Sequence, residues 1–167
     1  MTHMIVDVDI AKSVMQIRWV DPESGEVVNR PLKSAAFLEY FANRSPCLVG
    51  MESCDGSQHW ARRLIEMGHQ VKLMPAKFVK AFNICNKSDA ADTRAIWMAT
   101  QMDSKAVAVK TEAQQAILTL HRMRQQLVKL RTMQINNLRG LLAEYGEVMA
   151  VGREALDKSI AEILERL

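Results

Sequence analysis

Met4-Ile5-Val6-Asp7-Val8-Asp9-Ile10 is the stretch on which the fold turns. Its β-branched, apolar run reads as a strand, and the two-residue period puts Asp7 and Asp9 on the same face. Working outward, Val14–Val20 follows after a short break as a second strand. Asp21-Pro22-Glu23-Ser24-Gly25 has turn composition, and Glu26–Arg30 returns as a third strand, which Pro31 ends. Three strands joined by tight turns imply an antiparallel meander. Ser34–Asn43 then has helical spacing through Ala35, Phe37, Leu38 and Phe41. Cys47–Met51 reads as a fourth strand, and Ser57 as the cap of a helix over Gln58–Met67 closed by Gly68. Val71–Met74 is a fifth strand, Pro75 opens a short helix to Phe82, and Ser88 caps another that runs to Met102. A meander followed by crossover strands predicts an α/β domain with a mixed five-stranded sheet and helices on its faces.

Beyond residue 105 the pattern changes. Thr111–Tyr145 reads as one long helix, with Leu120, Met123, Leu127, Leu130, Leu138 and Leu141 recurring at helical spacings. Gln134 and Asn137 interrupt the apolar seam, so the segment is coiled-coil-like without being a regular coiled coil. Gly146 and Gly152 break the helix, and Arg153–Leu167 resumes one. The expected organisation is residues 1–105 as the α/β domain and 106–167 as a helical segment. Such an apolar stripe is unstable when exposed in a monomer, which suggests a homo-oligomer assembled through the long helix.

The net charge is only +3, but its distribution is one-sided. Between Glu112 and Glu144 there is no acidic residue, whereas Arg122, Arg124, Lys129, Arg131 and Arg139 all fall there. A basic face of this kind suits a polyanion such as nucleic acid. No apolar run has the length of a membrane span and no signal peptide opens the chain, so the expectation is a cytoplasmic protein without a membrane partner. Cys47, Cys54 and Cys85 form no CxxC pair and fit reduced thiols. The spacing of Cys54, His59, His69 and Cys85 matches no zinc pattern.

Several carboxylates fall at odd places. Asp7 and Asp9 lie within a strand; if it is central, they need a metal or a basic partner, because a buried unpaired carboxylate is costly. Glu52 directly follows the fourth strand, where open α/β sheets place their sites. Asp89 and Asp92 are three apart in the first turn of a helix and share a face. Each has an ordinary alternative: a surface strand end, a solvated loop acid, acids that favour a helix N-terminus. Together they could converge on hard cations such as magnesium, and two such ions can clamp the oxygens of a phosphoryl transfer.

Val8-Asp9-Ile10-Ala11-Lys12 resembles the opening (I/V)D(V/L)AK segment of the DEDD transposases carried by one large group of bacterial insertion sequences. Met51-Glu52-Ser53-Cys54, with Ser57, His59, Trp60, Ala61 and Arg62, resembles their MEACxGSxxWAR segment, and Asn86-Lys87-Ser88-Asp89-Ala90-Ala91-Asp92 their NKxDxxDA segment. The three motifs occur in the family's order and spacing, over roughly residues 4–145. The resemblance implies an RNase H-like, RuvC-like domain of an RNA-guided recombinase that moves its own DNA element. It also implies a metal quartet of Asp9, Glu52, Asp89 and Asp92 holding Mg2+ or Mn2+, with Lys12 and Lys87 at basic positions beside the motifs. DNA and a structured guide RNA are the implied partners. Two positions depart from the family pattern: Asp7 and Asp55 stand where glycine is usual, adding negative charge near the metals. Members continue into a C-terminal domain that supplies a nucleophilic serine. That domain is absent from residues 1–167, so this chain alone is expected to be incomplete for recombination.

Two other functions compete with the catalytic half of a transposase. One is a nucleic-acid-binding and assembly module without chemistry of its own, which the basic helix favours. The other is a stand-alone RuvC-like nuclease that cuts by metal-activated water.

Overall fold

The computed structural model describes residues 4–82, 89–102 and 105–166, with the side chains of residues 89–91 and 153 outside the description. The chain divides into two compact units, Met1–Thr111 and Glu112–Leu167.

The first unit is built on a five-stranded sheet of β1 (Ile5–Asp9), β2 (Val14–Val20), β3 (Val27–Lys33), β4 (Leu48–Glu52) and β5 (Gln70–Met74), in the spatial order β3-β2-β1-β4-β5. β1, β2 and β3 pair antiparallel, while β4 and β5 join parallel to β1. This is the mixed sheet that the strand order predicts, with β1 at its centre. The crossover elements are α1 (Phe37–Ala42), which follows a single 3-10 turn at Ser34–Ala36, and α2 (Ser57–Glu66). After β5 come α3 (Ala76–Phe82) and α4 (Asp89–Gln101).

The alternation of each strand separates two cores. Val6, Val8, Ile17, Trp19, Val49, Met51 and Leu73 face α1 and α2, where Phe37, Phe41, Ala61 and Leu64 close an apolar core. The opposite face carries Asp7, Asp9, Gln16, Arg18 and Gly50 by register, and α4 lies over β1, β2, β4 and β5 there. Met74, Val79, Ala95, Ile96 and Ala99 form the smaller core on that side.

Three sequence expectations need correction. The third strand does not stop before Pro31: it runs to Lys33, and Pro31 sits opposite Gln16 in the ladder. β3 is an edge strand, so the missing proline N–H can face outward and cost no ladder bond. Ser57 is the first residue of α2 rather than its cap; Gly56, at φ 85°, takes the cap position. The Ser57 hydroxyl donates instead to the Cys54 carbonyl at 2.8 Å. The first unit also extends past residue 105. Val107 N–H donates to the Leu73 carbonyl at 2.7 Å, Lys110 N–H donates to Gln58 Oε1 at 2.7 Å, and Arg62 donates to the Lys110 carbonyl at 3.0 Å.

The second unit consists of α5 (Glu112–Ala143) and α6 (Arg153–Leu164). Leu156 is buried, and α5 contributes no fully buried side chain. Among the described residues, no helix is long and apolar enough to cross a membrane.

Candidate functional site

Asp9 and Glu52 are the last residues of β1 and β4. These strands are parallel neighbours at the sheet centre, and Val8 pairs with Met51, so Asp9 and Glu52 lie one step further along each strand. Both are half-buried. Past Glu52 the chain turns sharply: Cys54 N–H donates to the Glu52 carbonyl at 2.9 Å, and left-handed Gly56 opens α2. The Cys54 thiol is pushed up to about 11, first by burial and then by the fields of Glu52, Asp9 and Asp55. Three carboxylates therefore act on one point beside the strand ends, a potential that suits a hard cation.

Asp92 is half-buried in the first turn of α4, the helix laid across these strands. Asp89 is the first residue of α4, and its side chain lies outside the described residues, as do Lys87 and the expected cap Ser88. Among the described residues, no three His, Cys, Asp or Glu side chains gather closely enough to hold a metal ion. The structure thus brings Asp9 and Glu52 together and lays α4 over the same strands. The oxygen donors of Asp9, Glu52 and Asp92 are of the type magnesium and manganese take. The zinc alternative gains nothing. His69 is buried, with Nδ1 3.3 Å from the Cys47 N–H and Nε2 3.1 Å from the Phe41 carbonyl, so both ring nitrogens are engaged in the core.

Asp7 is fully buried beneath this site. Its Oδ1 is 2.7 Å from Thr100 Oγ1, which is also 2.8 Å from the Ile96 carbonyl. A hydroxyl carries one proton, so Thr100 donates it to Asp7 when that carboxyl is ionised, and both contacts are satisfied together when a protonated Asp7 donates to Thr100 and Thr100 donates to Ile96. Asp7 Oδ2 has no hydrogen-bond partner among the described residues. Burial pushes the Asp7 carboxyl up to about 7, against the opposing effects of Thr100 and of Arg18, its neighbour across the β1–β2 ladder. Gly50 makes this arrangement possible, since a Cβ there would collide with Thr100 and Asp7. The extra charge expected from Asp7 is therefore largely suppressed below neutral pH. Asp55, by contrast, is exposed in the loop after Glu52 and adds its field to the thiol of Cys54.

Lys12 is exposed in the β1–β2 turn. It lines an open cavity of about 560 Å³ with Ile10, Ser34, Cys54, Gly56 and Trp60, next to the strand ends. On α5, Arg122, Arg124, Lys129 and Arg131 are all exposed. At about 100° per residue, Arg122 and Lys129 share one face and Arg124 and Arg131 another. These pairs flank the stripe of Leu120, Met123, Leu127, Leu130 and Leu141, itself exposed, instead of forming the single basic face expected. Arg139 is half-buried, and its Nη2 donates to the carbonyls of Ala150 at 2.8 Å and Gly152 at 2.7 Å. That side chain ties down the linker between α5 and α6, a role that helical spacing alone does not reveal.

A mixed sheet with an antiparallel meander running from one edge to its centre, parallel β4 and β5, and carboxylates ending the neighbouring parallel strands β1 and β4 is an RNase H-like domain. Within that class, the DEDD transposase family of the IS110 type, described as "Transposase", matches residues 6–147, and the chain belongs to it. It is similar to a probable family 20 transposase of Pseudomonas aeruginosa, 42% identical over 84% of this chain and 42% of that protein. It is also 34% identical to the transposase for insertion sequence element IS1328 of Yersinia enterocolitica, over 96% of this chain and 48% of the relative. The transposase for insertion sequence element IS1111A of Coxiella burnetii is 37% identical over 96% of this chain and 44% of its own length. The chain spans less than half the length of the curated relatives it matches.

Proposed function

We propose that residues 1–167 form the metal-binding, carboxylate-bearing part of a transposase that acts on DNA strands under the guidance of a structured RNA. The observation that carries this reading is the placement of Asp9 and Glu52 side by side at the ends of the two central parallel strands, with α4 across them. Asp9, Glu52, Asp89 and Asp92 would hold Mg2+ or Mn2+. A bound divalent ion supplies charge neutralisation at a phosphoryl oxygen and eases deprotonation of the attacking group. Asp9 and Glu52 orient from the sheet, and Asp92 approaches from the helix. Lys12 offers a charge to a backbone phosphate beside the carboxylates. Arg122, Arg124, Lys129 and Arg131 offer further charges to backbone phosphates along α5.

Recombination needs a nucleophile that holds the broken strand. The carboxylates can activate such a group and cannot replace it; the family resemblance puts that serine in a C-terminal domain outside residues 1–167. The isolated chain therefore binds nucleic acid and forms no covalent protein–DNA adduct, a result read on a denaturing gel with magnesium present. Manganese titration tests the site itself. Asp9→Asn and Asp92→Asn should each weaken binding by 10-fold or more, on the order expected for losing one charged ligand. Unchanged affinity in both variants would rule out the quartet.

A second reading, an assembly module that joins copies or partner domains, is favoured by the exposed apolar stripe of α5. The two readings are compatible, because a strand-exchange reaction has to bring several active sites onto one piece of DNA.

A further inference from the structure

At the opposite end of the sheet from Asp9 and Glu52, two arginines converge on the same two aromatic rings. The Arg30 guanidinium carbon lies 5.0 Å from the Tyr40 ring centroid and 5.9 Å from that of Trp19. The Arg44 carbon lies 4.6 Å from Tyr40 and 4.4 Å from Trp19. The rings themselves are in contact, with centroids 6.2 Å apart. Trp19 is in β2, Arg30 in β3, Tyr40 in α1 and Arg44 in the loop before β4. Arg44 also donates to the sulfur of Met4, the residue before β1. Trp19 pairs with Val6 near the start of β1, and its side chain is on the α1–α2 face, whereas Asp9 ends β1 on the other face. The cluster is therefore separate from the carboxylates.

One cation stacked on a tryptophan and a tyrosine is an adequate staple between a sheet and a helix. Two are more than packing needs, since the guanidinium groups repel each other across the shared rings. Neither Arg30 nor Arg44 forms an ion pair among the described residues, so no described carboxylate relieves that repulsion. Arg30 is exposed and Arg44 half-buried, so the pair can be reached from solvent. The rings hold each planar fork in place and leave available the N–H edges of Arg30 and those of Arg44 not given to Met4, an arrangement that can grip a phosphate through paired hydrogen bonds.

We propose that Arg30 and Arg44, held on Trp19 and Tyr40, form a clamp for the phosphodiester backbone of nucleic acid, remote from the carboxylate site. This rests on the reading of the chain as a nucleic-acid-handling protein and adds a second contact surface to it. A bridging phosphate supplies the anion that the two forks lack, and the fixed orientation of the forks lowers the ordering cost of binding it.

The test uses the full chain, a labelled short DNA duplex and a labelled RNA hairpin, each titrated across a range of salt. Arg30→Gln and Arg44→Gln should each raise Kd severalfold and reduce the log–log salt slope by about 1. The double variant should lower the slope by about 2 while the four α5 cations remain intact. Arg44→Lys, which keeps the charge and loses the fork, should weaken binding with little change in slope. Loss confined to the hairpin identifies RNA as the source of the phosphate, loss confined to the duplex identifies DNA, and loss on both identifies backbone recognition common to the two. A purely structural staple would lower the melting temperature of the variants and leave the slope of the folded protein unchanged, which would overturn the proposal. Should the glutamine variants fail to fold, the wild-type chain still gives an answer through an arginine-selective dicarbonyl reagent. Bound nucleic acid should protect Arg30 and Arg44 from modification, and equal modification in the bound and free protein overturns the clamp. Wild-type binding that survives both variants unaltered defeats the clamp alone, whereas a wild-type chain that binds neither probe defeats the broader reading with it.

Discussion

Asp7→Asn isolates the energetic consequence of placing an acid at the centre of the sheet. The wild-type carboxyl is raised from 3.8 to about 7, chiefly by its burial. Because the folded value lies above the unfolded one, the native state holds a proton that the unfolded chain releases. Stability contributed by this group is therefore complete below about pH 4 and falls as pH rises toward 7. At about 1.4 kcal/mol per pH unit, the loss amounts to roughly 4 kcal/mol by pH 8. An asparagine amide can donate to Thr100 as the protonated acid does, and it leaves the Thr100 proton for Ile96. The variant should match the wild type near pH 4 and exceed its stability by a margin that grows to roughly 4 kcal/mol at pH 8. Urea unfolding with a chelator present, followed by tryptophan fluorescence, measures this cleanly. Trp19, Trp60 and Trp97 all lie in the first unit, so the signal reports on that unit alone. A stability difference independent of pH would refute the assignment of a buried proton to Asp7.

Gly50→Ala should destabilise the first unit by about 3 kcal/mol, because the new methyl meets Thr100 and Asp7 where α4 crosses the sheet; an unchanged melting temperature would show that α4 can shift freely. Duplex binding by the whole chain should weaken steeply with salt, the α5 cations contributing roughly −3 to −4 to the log–log slope, and lysine and arginine to glutamine changes at 122, 124, 129 and 131 should remove that share. Binding that ignores salt would dismiss the basic pairs as contacts. Sedimentation equilibrium should find self-association that Leu127→Glu disrupts, since Leu127 is 63% exposed within the apolar stripe. A wild-type chain that stays monomeric at high concentration would rule out assembly through α5.

Much of the architecture was legible because it is written in local pattern. The alternation in Met4–Ile10, the turn composition of residues 21–25 and the helical spacing in 112–143 each involve residues within a few positions of one another. The same is true of the three motif segments, which place Asp9 and Glu52 at strand ends and Asp92 in a first helical turn. Errors arose where the answer depended on a distant segment. Pro31 reads as a strand breaker until the strand order puts β3 at an edge. Arg139 reads as one more cation until the chain after Gly146 returns its carbonyls to it. The five basic residues counted as one face because composition registers charge and not its angle around the helix.

The sequence by itself determined the order of elements, the mixed sheet, the family and the candidate carboxylates, because periodicity and motif spacing are properties of neighbours along the chain. Tertiary structure alone decided that Asp7 is buried against Thr100, ninety-three positions away, and so carries a proton far above the usual carboxylate range. It also decided that Arg30 and Arg44 meet over Trp19 and Tyr40. Burial, proton affinity and the sharing of a ring by two cations depend on which surfaces the sheet and helices press together. That pairing is set by register and packing across the whole domain, and no short window of sequence contains it.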